Sequence, residues 1–168
     1  MNKDCGFTRE NFWFRYRACA IIIEGGCVLM AKNEGVPYYY SVGGGVHLNE
    51  TAEGAVCREV LEETGVNYEV DRLAFIHENF FKGTWNDENK ICHEIAFYFL
   101  MKHKGVKEFN WESRSLSGVK ETVCWLPIDK LDEYEVYPTF FKDKLTNMSS
   151  VIEHIVRKDD SILFSPLN

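Results

Sequence analysis

The stretch from Gly44 to Val66, GGVHLNETAEGAVCREVLEETGV, places three glutamates, Glu59, Glu62 and Glu63, on one side of a helix that follows a run of glycines. Positions i, i+3 and i+4 stack on one face because each residue advances a helix by about 100°. Like charges at that spacing repel by a few tenths of a kcal/mol per pair. Ordinary packing has no use for such an arrangement, so a positive group is needed beside it. A divalent cation, with its preference for hard oxygen ligands, is the simplest candidate. The helix has strong end signals. Thr51 or Asn49 can cap it, Glu50 and Glu53 lie near its positive end, and Gly65 followed by Val66 stops it. Val56, Cys57, Val60 and Leu61 fill the arc beside the carboxylates, which predicts one packed side and one functional side.

Around this helix the pattern is mostly that of strands. Arg17 to Ile23 reads as a buried strand, and Glu24-Gly25-Gly26 as a hairpin turn into Cys27 to Lys32. Tyr38 to Val42 is a short aromatic strand running into the glycines. Glu69 to Asn79 and Ile91 to His103 read as long strands joined by the polar loop Lys82 to Lys90, and Val123 to Leu126 as a further strand ending at Pro127. Pro138 to Asn147 reads as helix, with Pro138 at or just before the first turn. Ser149 to Arg157, containing VIEHIV, suits a helix or a strand. Strands on both sides of a helix, then a further helix, give an α/β class with a mixed sheet and helices on its faces. There is no repeat, low-complexity tract or linker, so residues 1–168 are expected to form one domain.

A formal charge of −7 disfavours broad binding to nucleic acid or to anionic membrane. It leaves room for a small phosphorylated substrate, because a bound cation reverses the local sign. The six cysteines include no CxxC pair and lie mostly in apolar runs such as CAIII and CVLM. Reduced thiols of a cytoplasmic protein fit this better than a disulfide framework or a zinc site. The segment MNKDCGFTRENFWFRYR lacks a secretory apolar region, and the run Ile95 to Met101 is too short to span a bilayer.

From Gly44 the chain reads G-x5-E-x7-R-E-U-x-E-E-x-G-U, with U aliphatic, filled by Gly44, Glu50, Arg58, Glu59, Val60, Glu62, Glu63, Gly65 and Val66. This resembles the Nudix box of hydrolases that cleave nucleoside diphosphates linked to another group, with every fixed position occupied. The resemblance implies a Nudix-type α/β/α sandwich around a central mixed sheet, dependence on Mg²⁺ or Mn²⁺, a nucleotide substrate and, as in many members, a homodimer. It implies that Glu62 and Glu63 are the main metal ligands. Glu59 would be a ligand or the base that takes a proton from water, and the Gly44 carbonyl would complete the shell. Glu50 would orient the site, and Arg58, to one side of the arc, would be a structural partner for a carboxylate. Glu94 interrupts the apolar run ICHEIAFYFL. The resemblance offers it as an added ligand or general base from a later strand, against an ordinary alternating strand residue.

A phosphoanhydride resists attack because its oxygens are negative. Its hydrolysis needs that charge neutralised and a water held in line. Arg15 and Arg17 alternate with aromatics in FWFRYR and can hold a phosphate by paired hydrogen bonds, or simply face solvent. Among Tyr38, Tyr39, Tyr40, Phe80, Phe81 and Trp85, we take Tyr40 and Phe80 as candidate base-stacking residues, with core packing the plainer role for any one. His77 and His93 flank strands, and core roles are the plainer reading for both. Val42 and His47 stand where many family members have a proline and an acid, and no proline occurs between Gly65 and Leu126, where ADP-ribose hydrolases of the family tend to carry one. The expected reaction gives a nucleoside monophosphate and a phosphorylated product, with a nucleoside triphosphate favoured over ADP-ribose. The competing expectation is a non-catalytic nucleotide-sensing module, which usually lacks one of the metal-binding glutamates that this chain keeps. An mRNA-decapping role would need a basic RNA-tracking surface.

Overall fold

The computed structural model describes residues 3–83, 90–105, 107, 112–114, 120–160 and 162. Two sheets and one long helix dominate them. In the first sheet β1 (Gly6–Arg9), β2 (Phe12–Ile21), β8 (Ile91–Met101), β7 (Val70–Lys82) and β12 (Glu153–Lys158) lie side by side, and β6 (Gly43–Gly45) adds to the free edge of β2. The second follows the order β11 (Val136–Tyr137), β5 (Tyr39–Ser41), β4 (Cys27–Asn33), β10 (Lys120–Pro127) and β9 (Glu112–Arg114), with β3 (Ile23–Glu24) paired to β4. Both sheets are mixed. β2 runs parallel to β8 and β12 parallel to β7, whereas β7 and β8 are antiparallel.

The apolar run in β2 is buried on both faces, and its alternation divides two cores. Cys19 and Ile21 face a core with Met30, Phe75, Tyr98 and Phe141, which brings in the short α2 (Phe141–Lys144). Ala18 and Ala20 face a second core with Val42, Val56 and Val60 beneath α1 (Ala52–Thr64). Helical segments on opposite faces of the strands give the α/β/α sandwich expected.

α1 forms as its sequence signals require. The Thr51 side chain accepts from Gly54 N, and Gly65 closes the helix at φ 71° with its N–H bonded to Leu61 O. The packed side differs from expectation. Ala55, Val56 and Val60 are buried, whereas Leu61 is 41% exposed. The helix is rotated so that the side carrying Glu59 and Glu63 turns toward β6, and Leu61 turns away.

Other departures are local. β2 begins at Phe12 rather than Arg17 and pairs with β1, an N-terminal hairpin that hydrophobic periodicity did not suggest. The expected helix from Pro138 is α-helical only over Phe141–Lys144, followed by a 3-10 turn at Leu145–Asn147. The ambiguous segment resolves as strand β12, parallel to β7. No disulfide joins the six cysteines. Among the described residues, no helix is long and apolar enough to cross a membrane.

Candidate active site

The glycine strand β6 sits between β2 and α1. Gly43 has φ +136°, and a Cβ there would collide with the Ala18 carbonyl, so only glycine fits. At Gly44 a Cβ would run into the carboxyl of Glu59, which places that acid directly against the loop backbone.

Arg58 ties the loop to the helix. Its Nε and Nη2 donate to the two oxygens of Glu50, each at 2.9 Å, in a bidentate pair. Its Nη1 donates to Glu59 Oε1 at 2.6 Å and lies 3.6 Å from Glu62 Oε2, while Nη2 also reaches Gly45 O at 3.0 Å. Glu50 in turn accepts from His47 N at 2.9 Å. The bonds from Arg58 hold the Glu50 carboxyl down at about 2. One guanidinium thus offsets much of the repulsion built into the acidic arc.

The three helix acids occupy different surroundings. Glu62 is 60% exposed on its side chain, and the Glu59 side chain 16%. Glu63 Oε1 accepts from Gly43 N at 2.9 Å, but its Oε2 is shut off from solvent with no hydrogen-bond partner among the described residues. Burial pushes the Glu63 carboxyl up to about 8, helped by the nearby Glu121 and Glu59. Burial also raises Glu59. An orphaned carboxylate oxygen beside a second buried acid is a place where positive charge is missing.

Glu121 was not among the expected residues. Alternation along β10 puts it on the same face as Val123 and Trp125, which pack on the core beneath α1. It accepts the Tyr40 hydroxyl, which Asn33 Nδ2 also approaches at 3.3 Å, and it faces Glu63 closely enough to raise that acid's pKa. Tyr40 therefore stands inside the acidic site. The signal available in sequence was the acid heading KETVCW, two and four residues ahead of apolar residues that share its face.

Glu94 is 4% exposed on β8, opposite Arg15 in the parallel register. It is paired with Arg15 and lies 4.0 Å from Arg17 Nη1. Arg17 Nη2 donates to Gly43 O at 2.6 Å. Glu94, Arg17, Gly43 and Glu63 therefore form a continuous polar chain from β8 to the helix. Arg15 lies between the rings of Trp13 and Phe81, at 4.9 and 5.8 Å from their centroids.

Phe80 is not brought to this group. Strand alternation sends it to the face opposite Phe81 and Glu94, where it stacks on His93 with centroids 4.2 Å apart. His77 is buried against Phe140 and Tyr98. Trp85 lies outside the described residues.

With this geometry in place, the chain is similar to known proteins. The NUDIX domain profile matches residues 13–144. A MutT-like protein of Streptomyces ambofaciens is 31% identical over 130 residues, covering 76% of this chain and 74% of its own. The fold is similar to the mutator MutT protein from Bacillus halodurans, with a TM-score of 0.63 at 20% identity over 90% of this chain and 95% of that one. It is also similar to an ADP-ribose pyrophosphatase from Streptococcus suis, with a TM-score of 0.51 at 16% identity over 85% and 98%. The chain belongs to the Nudix family.

Proposed function

We propose that the protein is a metal-dependent hydrolase of a nucleoside diphosphate derivative, preferentially a nucleoside triphosphate, releasing a nucleoside monophosphate and a phosphorylated remainder. The observation that carries this reading is the buried Oε2 of Glu63, unpartnered among the described residues, beside the carboxyl of Glu59 and the backbone of Gly44. The whole chain would form one domain around this site.

The residues fit a hard divalent cation. The donors are carboxylate and carbonyl oxygens, the set that Mg²⁺ and Mn²⁺ prefer. As the side chains stand, no three His, Cys, Asp or Glu among the described residues converge on one point, and Glu59 Oε1 is turned toward Arg58. Glu59, Glu62, Glu63 and the Gly44 carbonyl would hold the ion, with the two outer acids exchanging Arg58 for it. The chemistry supplied by bound Mg²⁺ or Mn²⁺ is Lewis-acid neutralisation of the anhydride oxygens.

The protein's own groups do the rest. Glu50 and Arg58 fix the helix acids against the loop. Arg17 fixes the Gly43 peptide, whose N–H aims Glu63. Glu94 is enclosed by Arg15 and Arg17, so we assign it to orienting them rather than to proton transfer. Glu59 and Glu121 remain to take the proton from an attacking water. A panel of nucleotides incubated with Mg²⁺ or Mn²⁺, with products separated by chromatography, tests the proposal. Turnover lost in Glu62→Gln supports it, and nucleotide binding without product from any panel member would contradict it.

A further inference from the structure

The edge of β2 away from β8 is shared by two strands. β6 lies along Arg17 to Cys19 and β1 along Phe12 to Arg15. Directly opposed residues in such pairs stand on the same face of the sheet. Arg17 is opposite Gly45, Arg15 opposite Gly6, and Trp13 opposite Thr8. Two arginines therefore face residues without side chains; the space over Gly45 is taken by the Asp4 carboxyl, and a Cβ on Gly6 would meet the Phe14 carbonyl. Along this face lies a cleft of about 270 Å³ lined by Gly45, Arg17, Arg15, Thr8 and Trp13, with Asp4 at its rim.

Its charge is balanced. Arg15 and Arg17 share the buried Glu94, and the Asp4 carboxyl stands over Gly45. Two guanidiniums against two carboxylates leave no surplus to hold a second phosphate group. The wall at the far end is aromatic. Trp13 is half-buried, packs in neither core, and carries the Arg15 guanidinium against its ring at 4.9 Å. It stands four positions along β2 from Arg17, about 13 Å at 3.3 Å per residue, roughly the length of a whole nucleoside monophosphate from its phosphate to the far edge of its base.

On this basis, and resting on the hydrolase reading above, we infer that the cleft seats the base of the nucleotide, with Trp13 as its stacking wall. The occupant is a heteroaromatic ring carrying N–H groups. Asp4 and the Thr8 hydroxyl offer acceptors to it. The cleft thus makes Trp13 a determinant of nucleotide recognition, outside the residues of the box.

Calorimetric binding of a nucleoside monophosphate and of ribose 5-phosphate to the full chain separates base from sugar phosphate. In Trp13→Leu, nucleoside monophosphate affinity should fall about 5- to 100-fold, the range of single base–aromatic stacks, while ribose 5-phosphate affinity stays within about twofold. Trp13→Phe should keep most of the affinity, and Thr8→Phe, which fills the cleft from the exposed strand β1, should lose it. In turnover, KM for the nucleotide should rise with kcat preserved. Unchanged nucleoside monophosphate binding in both Trp13→Leu and Thr8→Phe would overturn the inference. So would an equal loss of ribose 5-phosphate binding, or wild-type protein that binds no nucleoside monophosphate. Absence of turnover with the Trp13 binding difference intact would sink the hydrolase reading alone.

Discussion

Arg17 Nη2 donates to the carbonyl of Gly43 at 2.6 Å, and the N–H of that same glycine donates to Glu63 at 2.9 Å. A strand arginine and a helix acid are thus held through one residue whose backbone no other residue type can adopt. Because Arg17 is itself steadied by the buried Glu94, the aim of the acid depends on a group on β8 that the reacting atoms need not touch.

Arg17→Gln should therefore lower kcat and cation affinity by about 10- to 100-fold, the usual effect of removing a partner that orients a ligand. Arg17→Lys should restore only part of the loss, because an ammonium cannot bridge Glu94 and a carbonyl in a fixed fork. Cation titrations and steady-state kinetics on both variants check this. Wild-type values in Arg17→Gln would show that the contact has no positioning role.

Glu63 makes cation binding depend on pH. Its carboxyl stands at about 8 in the ion-free fold and at an ordinary 4.5 once unfolded. A folded value above the unfolded one contributes stability below pH 4.5, which is lost as pH rises through 8. A cation needs the ionised form, so below pH 8 each unit costs about tenfold in apparent affinity. Thermal melts with and without Mg²⁺ should show a larger stabilisation at pH 9 than at pH 6. Glu63→Gln should raise the melting temperature of the ion-free protein at pH 8.

Arg58 joins Glu50, Glu59 and the Gly45 carbonyl within one side chain. Its loss leaves partly buried carboxylates facing one another, so Arg58→Ala should destabilise the fold by about 1–3 kcal/mol. Urea unfolding measures this directly. The Glu50 contribution has the opposite pH sense to that of Glu63. Held at about 2, it is fully present above 4.5 and is lost as pH falls toward 2.

His77 adds a separate acid sensitivity. Enclosed by Phe140 and Tyr98, it is pushed down to about 4 by burial, from an ordinary 6.5. The unfolded chain takes up the proton first, so stability is complete above pH 6.5 and is lost as pH falls toward 4. Melting temperatures of His77→Phe across pH 4 to 7 should fall less steeply than those of the wild type.

What sequence reading captured and what it missed divide by distance along the chain. The helix ends and the glycine turn are set by residues within one short segment, where spacing decides which side chains meet; Arg58 is expected there to partner a carboxylate, but that the carboxylate is Glu50 comes from the structure. The Arg15–Glu94 pair joins residues 79 apart and the Tyr40–Glu121 pair residues 81 apart. Each depends on which strands neighbour one another and in what register, and local periodicity does not encode that. Leu61 went astray for a related reason. Its arc was apolar enough to pack, but the placement of β6 decided which side of the helix was covered.

Titration of Mn²⁺ into wild-type protein and into Glu63→Gln, followed by calorimetry at pH 8, bears most directly on the clustered acids. The wild type should bind Mn²⁺, and Glu63→Gln should bind it at least about a hundredfold more weakly with its fold intact. Equal Mn²⁺ binding by the two proteins, or none by the wild type even with nucleotide added, would contradict a cation site at Glu63.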